Sequence, residues 1–195
     1  MPKYHPAFAT AIGRNVERSP HYGVARRNAE GKITAWGYHQ IQDAGLRDTK
    51  MKDPAGNWTG RWGVATDDDY LANKNRAQDR AYDEYLGTIE GYNRVAGNFA
   101  HVGKANERRR KDGLPMTITE VGIMAAAHRM GQGWVKDYLE WAARGGWRTL
   151  DTPYPTTSRL LCEEGKICTR EQIERNFRRV ETWLRHFQDF PLRAE

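Results

Sequence analysis

Long apolar runs are missing from this sequence. No stretch of about eighteen apolar residues occurs, so no transmembrane helix is expected. From Met1 through Ala11 there is no apolar leader core, only Lys3 followed by His5, Pro6 and Thr10, so export, if it happens, is expected to use a route other than a signal peptide. Cysteine is scarce: Cys162 and Cys168 alone exclude a disulfide framework, and with no histidine or second cysteine pair nearby no metal site is expected. No other cofactor signature is present, and no cofactor is expected. Apolar residues are few as well. At 38% of the chain and a mean hydropathy of -0.87 they leave a lean core, in which seven Trp and nine Tyr must supply much of the buried area. Internal repeats and low-complexity tracts are also absent.

What is present fits one domain over residues 1–195 with one sizeable core, since single domains commonly reach this length. The 31 basic and 25 acidic side chains give a formal charge of +6, which favours anionic partners in general. Peptidoglycan stem peptides, nucleic acid and an acidic protein partner all qualify on that ground.

Helical signals dominate. Pro6 can open a helix on which Phe8, Ile12 and Val16 recur every four residues until Ser19-Pro20 stops it, placing Glu17 on the flank of the last turn. The turn residues Ala29-Glu30-Gly31-Lys32 predict a small hairpin between Ala25 and Ile41. Pro54, Gly56, Gly60 and Gly63 make residues 47–65 a loop that presents Trp58 and Trp62. Thr66 then offers an N-cap, with Asp67, Asp68 and Asp69 in the first turn of a helix that continues through Ala77, Ala81, Tyr85 and Ile89. Residues 97–115 read as a Gly-rich loop around the basic run Arg108-Arg109-Arg110-Lys111. Thr117 with Glu120 resembles a capping box ahead of a buried helix containing Val121 to His128. Val135, Tyr138, Leu139 and Ala142 mark another helix, ending at Gly145-Gly146. Thr169 and Gln172 cap a last one, whose apolar face is Ile173, Phe177, Val180, Leu184 and Phe187. Between them, Cys162 and Cys168 flank a turn between two short strands. A disulfide is geometrically plausible there, and free buried thiols are the alternative.

A carboxyl group in the last turn of an apolar helix is poised for acid chemistry. Burial and the negative end of the helix dipole both disfavour its ionised form, as protonating a glycosidic leaving group near neutral pH requires. Glu17 is such a group once partly buried, and an ordinary solvated helix residue otherwise.

The ordered set Glu17 to Ser19, Gly37-Tyr38-His39-Gln40-Ile41-Gln42-Asp43-Ala44-Gly45-Leu46, Trp58-Thr59-Gly60, Asp69-Tyr70-Leu71, Ala77-Gln78-Asp79-Arg80-Ala81 and Thr119 to Leu139 resembles the lysozyme-like superfamily. Its nearest form is a group found in phage lytic proteins and type VI secretion effectors. Two departures stand out: Arg18 intervenes before Ser19, and His128-Arg129 stand where many lytic transglycosylases carry Tyr-Asn. The resemblance implies a mainly α, lysozyme-like helical domain with a small β-hairpin beside the catalytic helix. It further implies a peptidoglycan glycoside hydrolase, an N-acetylglucosaminidase or a muramidase, with Glu17 as general acid and Asp43 at a second carboxylate position. Tyr38 and Gln40 would line the sugar cleft, and His128 would orient Glu17 or touch sugar. The enzyme would act in the periplasm of a target cell, without membrane insertion, and a cognate periplasmic immunity protein would occlude its cleft. A phage endolysin and a lytic transglycosylase are the enzyme alternatives. The basic run from Arg108 to Lys111 keeps a nucleic-acid-binding protein as the non-enzyme one, although no aromatic residues interleave it and no nucleic-acid partner is expected.

Overall fold

The computed structural model describes residues 3–16, 21–109, 115–145 and 168–192. The chain is mainly helical with two small antiparallel sheets, and it forms two compact units, Met1–Thr88 with Pro191–Glu195 and Ile89–Phe190.

The first unit opens with helix α1 (Pro6–Val16), for which Pro6 costs no hydrogen bond because the first helical N–H groups have no partner in any case. Phe8 and Ile12 are fully buried, as their four-residue spacing predicts. The segment before α1 is anchored: the Lys3 and Tyr4 amides donate to the Asp83 carboxylate, and the His5 amide donates to the Leu192 carbonyl at 3.0 Å. The expected hairpin is present as β1 (Ala25–Arg27) and β2 (Ile33–Trp36). Its turn is closed by Asn28, whose side-chain oxygen accepts from the Glu30 and Lys32 amides. A third strand, β3 (Ile41–Gln42), pairs with β2 and extends the hairpin to a sheet ordered β1-β2-β3. Two residues are too few for alternation to betray a strand.

Helix α2 (Asp43–Asp48) follows directly, and the loop after it is pinned by an isolated bridge between Lys52 and Trp58. Thr66 caps helix α3 (Asp67–Leu71) by accepting from the Asp69 amide. The continuous helix expected from Thr66 onward is instead broken. Asn73, Asn75 and Arg76 adopt positive φ, a conformation that asparagine tolerates better than most residues, and α4 (Ala77–Val95) starts afresh. Ala77, Ala81 and Ile89 are buried as expected, Tyr85 only partly, and Gln78, Tyr82 and Leu86 widen the face.

In the second unit, residues 97–115 are less irregular than the glycines suggest. Asn98–His101 forms a short 3-10 turn, and β4 (Ala105–Arg109) pairs with β5 (Pro115–Thr117). Arg108 and Arg109 therefore lie in a strand, not in a loop; Arg110 and Lys111 lie outside the described residues. Because pairing claims Thr117, helix α5 (Glu120–Met130) is capped by Thr119, which accepts from the Gly122 amide. Helix α6 (Gln132–Ala143) and helix α7 (Arg170–Phe187) pack against α5. Gly122 makes the α5–α7 approach close, since a Cβ there would meet the Leu184 carbonyl at 2.9 Å. Phe177 gathers the rings of Trp134, Tyr138 and Trp141 around it. Thr169 and Gln172 form the expected capping box. Among the described residues no helix is long and apolar enough to cross a membrane.

Candidate functional site

Two features of the first unit concentrate polar chemistry. One is the turn Gly37-Tyr38-His39-Gln40 between β2 and β3. The other is a groove of about 750 Å³ beside the sheet, lined by residues that include Arg27, Lys32, Trp36, Asp43, Lys52 and Asp67.

The turn is built around Gln78 of α4, which is 1% exposed. Its side-chain oxygen accepts from the Tyr38 amide at 2.8 Å, and its side-chain nitrogen donates to the Tyr22 and Tyr70 carbonyls at 2.9 and 2.6 Å. Gly37 has φ +71 and lies so close to this amide that a Cβ would sit 2.0 Å from the Gln78 oxygen. Tyr38 is buried, and its hydroxyl donates to the Thr10 carbonyl of α1 at 3.0 Å. Gln40, at φ +51, turns its side-chain nitrogen onto the Gly37 carbonyl at 2.8 Å, while its side-chain oxygen is buried without a hydrogen-bond partner among the described residues. Tyr38 and Gln40 are thus both committed to the turn and to its attachment to α1. His39 stacks on Tyr82 with centroids 3.7 Å apart.

In the groove, Asp43 opens α2 and has both oxygens engaged, one by Lys52 and one by Arg47, each at 3.0 Å. Partial burial pushes its carboxyl up, but the hydrogen bonds and charges of Lys52 and Arg47 outweigh this and hold it below its ordinary value. Lys52 is 7% exposed, an unusual burial for an ammonium. Besides Asp43, it lies over the Trp36 ring at 3.8 Å and the Trp58 ring at 4.8 Å, so two indole faces stand in for lost water. Both indole N–H groups donate to one oxygen of Asp67, at 3.0 and 2.9 Å. Asp43, Lys52, the two indoles and Asp67 therefore form one connected cluster at the groove wall. Asp43, Trp58 and Gln78 all fall in the stretches that carry the resemblance, although nothing there points to the hub role of Gln78; nothing in the sequence singles out Lys52.

Of the remaining expected residues, Glu17 lies outside the described residues, directly after α1. His128 is half-buried in the last turn of α5, in the second unit, where a basic side chain suits the dipole. Trp62 has left-handed backbone geometry and lies under the guanidinium groups of Arg61 and Arg80, at 4.1 and 4.3 Å. Cys168 is buried and disulfide-bonded; Cys162 lies outside the described residues. Among the described residues no group of three His, Cys, Asp or Glu side chains is placed to hold a metal ion. No protein-family model matches the chain, and comparison with curated proteins and with solved structures finds no match either.

Proposed function

We propose that this protein is a lysozyme-like peptidoglycan glycoside hydrolase, an N-acetylglucosaminidase or muramidase that cleaves glycan strands with Glu17 as general acid. One observation carries the reading beyond the sequence resemblance. The Tyr38 hydroxyl fastens the Gly37–Gln40 turn to Thr10 on α1, the helix whose last described residue, Val16, directly precedes Glu17. A sheet turn held against the helix that immediately precedes the candidate acid in the sequence supports this reading. On this reading Tyr38 and Gln40 position the turn. Asp43, held ionised by Lys52 and Arg47, is a poor proton acceptor and suits stabilising positive charge on the sugar ring better than activating water. The substrate's own acetamido group is the alternative second catalytic group.

The setting we infer is a type VI secretion effector acting in the periplasm of a target cell and neutralised there by an immunity protein. The +6 net charge favours fast association with an acidic partner surface.

The test is digestion of purified peptidoglycan followed by mass spectrometry of the products. The reducing-end sugar names the bond cleaved, and an internal anhydro product would point to a lytic transglycosylase. Glu17→Gln keeps size and hydrogen bonding but has no proton to give, so turnover should fall roughly 10²–10⁴-fold with an unchanged melting temperature. A folded Glu17→Gln protein of near wild-type activity removes Glu17 from the mechanism.

A further inference from the structure

The groove holds charges that its own residues leave unneutralised. Asp43 is occupied by Lys52 and Arg47, but Asp68 is exposed in the first turn of α3 and makes no ion pair among the described residues. Among the described residues Asp67 accepts from the two indole N–H groups alone, both on the same oxygen. On the cationic side and among the described residues, Lys32, which is exposed, makes no ion pair, and the Arg27 guanidinium donates to the Gly31 carbonyl alone.

These charges are sorted by position. Lys32 immediately precedes β2, and Arg27 pairs with Ile33 at that same end of the strand. Trp36, at the far end, hands its N–H to Asp67. The four residues of β2 separate the two ends, about 13 Å of extended chain. At that distance the two sets do not satisfy each other, and a ligand can satisfy both. Its carboxylate and ammonium must be separated along the groove, as they are in a short extended peptide. Thr34 and Gln42 line the groove with further hydrogen-bonding groups.

We propose that this groove binds a short extended peptide, its carboxylate at Arg27 and Lys32 and its ammonium at Asp67 and Asp68. Resting on the peptidoglycan reading, which it deepens, that peptide is the stem attached to the glycan, whose alanine nitrogen is an amide and whose ammonium is the one on diaminopimelate.

Calorimetric titration with the tripeptide N-acetyl-L-alanyl-γ-D-glutamyl-meso-diaminopimelate, blocked at alanine as the attached stem is, measures binding without turnover, so it separates this inference from the glycosidase reading. The protein should bind it saturably. Lys32→Glu and Asp68→Lys, both at exposed positions, should each weaken binding about threefold to fivefold, as loss of a single exposed charge contact predicts. Acetylating the probe's remaining amine and amidating its carboxyls should weaken it further. No heat with millimolar probe, or wild-type affinity in both charge-reversed variants, overturns the proposal. Tripeptide binding by a protein that cuts no glycan keeps the groove assignment and removes the glycosidase; cutting without binding does the reverse.

Discussion

Gly37 shows how much one missing side chain can decide. Its φ of +71 would cost an alanine about 1–2 kcal/mol, and the added Cβ would displace the Gln78 oxygen that lies 2.0 Å away. The Gln78 amide cannot yield freely, because it is buried and bonded to Tyr38, Tyr22 and Tyr70. Breaking part of that set adds about 1–3 kcal/mol. Gly37→Ala should therefore lower stability by roughly 2–5 kcal/mol, read from denaturant midpoints. Gly60→Ala is the matched control: it has φ +78 but nothing within 4 Å of its Cβ, so it should cost only the backbone part. Equal losses in the two variants would show that the Gln78 hub is not what makes Gly37 necessary.

At the scale of elements, capping separates what local sequence can decide from what pairing decides. Thr117 and Thr119 both precede α5, and a capping-box pattern favours the first. Pairing of Thr117 with Ala105 in the β4–β5 ladder leaves Thr119 to accept from the Gly122 amide. Thr119→Ala should cost about 1 kcal/mol and Thr117→Ala much less, measured by chemical denaturation. The reverse order would place the cap at Thr117. The same contrast explains which elements were legible beforehand. Helices α1, α6 and α7, the Thr66 cap and the β1–β2 turn announce themselves through four-residue periodicity, cap residues and turn residues, all of them local signals. Strands β3, β4 and β5 are short and owe their existence to partners elsewhere in the chain. The break at Asn73–Arg76 is hidden because helical periodicity resumes at Ala77. In the candidate site, Asp43 was legible from its motif, whereas the burial of Lys52 between two indoles depends on a loop crossing that spacing does not encode. The same holds for Tyr38, whose ring an aromatic in a turn motif suggests for a ligand, but whose hydroxyl is used on Thr10.

Across the whole molecule, stability should respond to pH through Asp137 of α6. Burial, and next the Glu140 charge, push its carboxyl up from 3.8 to about 6. The folded state thus holds this proton more tightly than the unfolded chain. The stabilisation is complete below 3.8 and is lost as pH rises through about 6, so at neutral pH the ionised carboxylate is a penalty. Asp137→Asn should accordingly raise the melting temperature by a few degrees at most at neutral pH, because the group is partly solvated, and the difference should vanish in acid. A gap independent of pH would assign the effect to something other than this titration. The hydrogen bond from His5 to Leu192 has a consequence of another kind, for the order of events on the ribosome. The second unit is built from one continuous stretch and can form as soon as it emerges, whereas the first waits for residues that come after that entire stretch. The unit that begins the sequence is therefore the last to be completed.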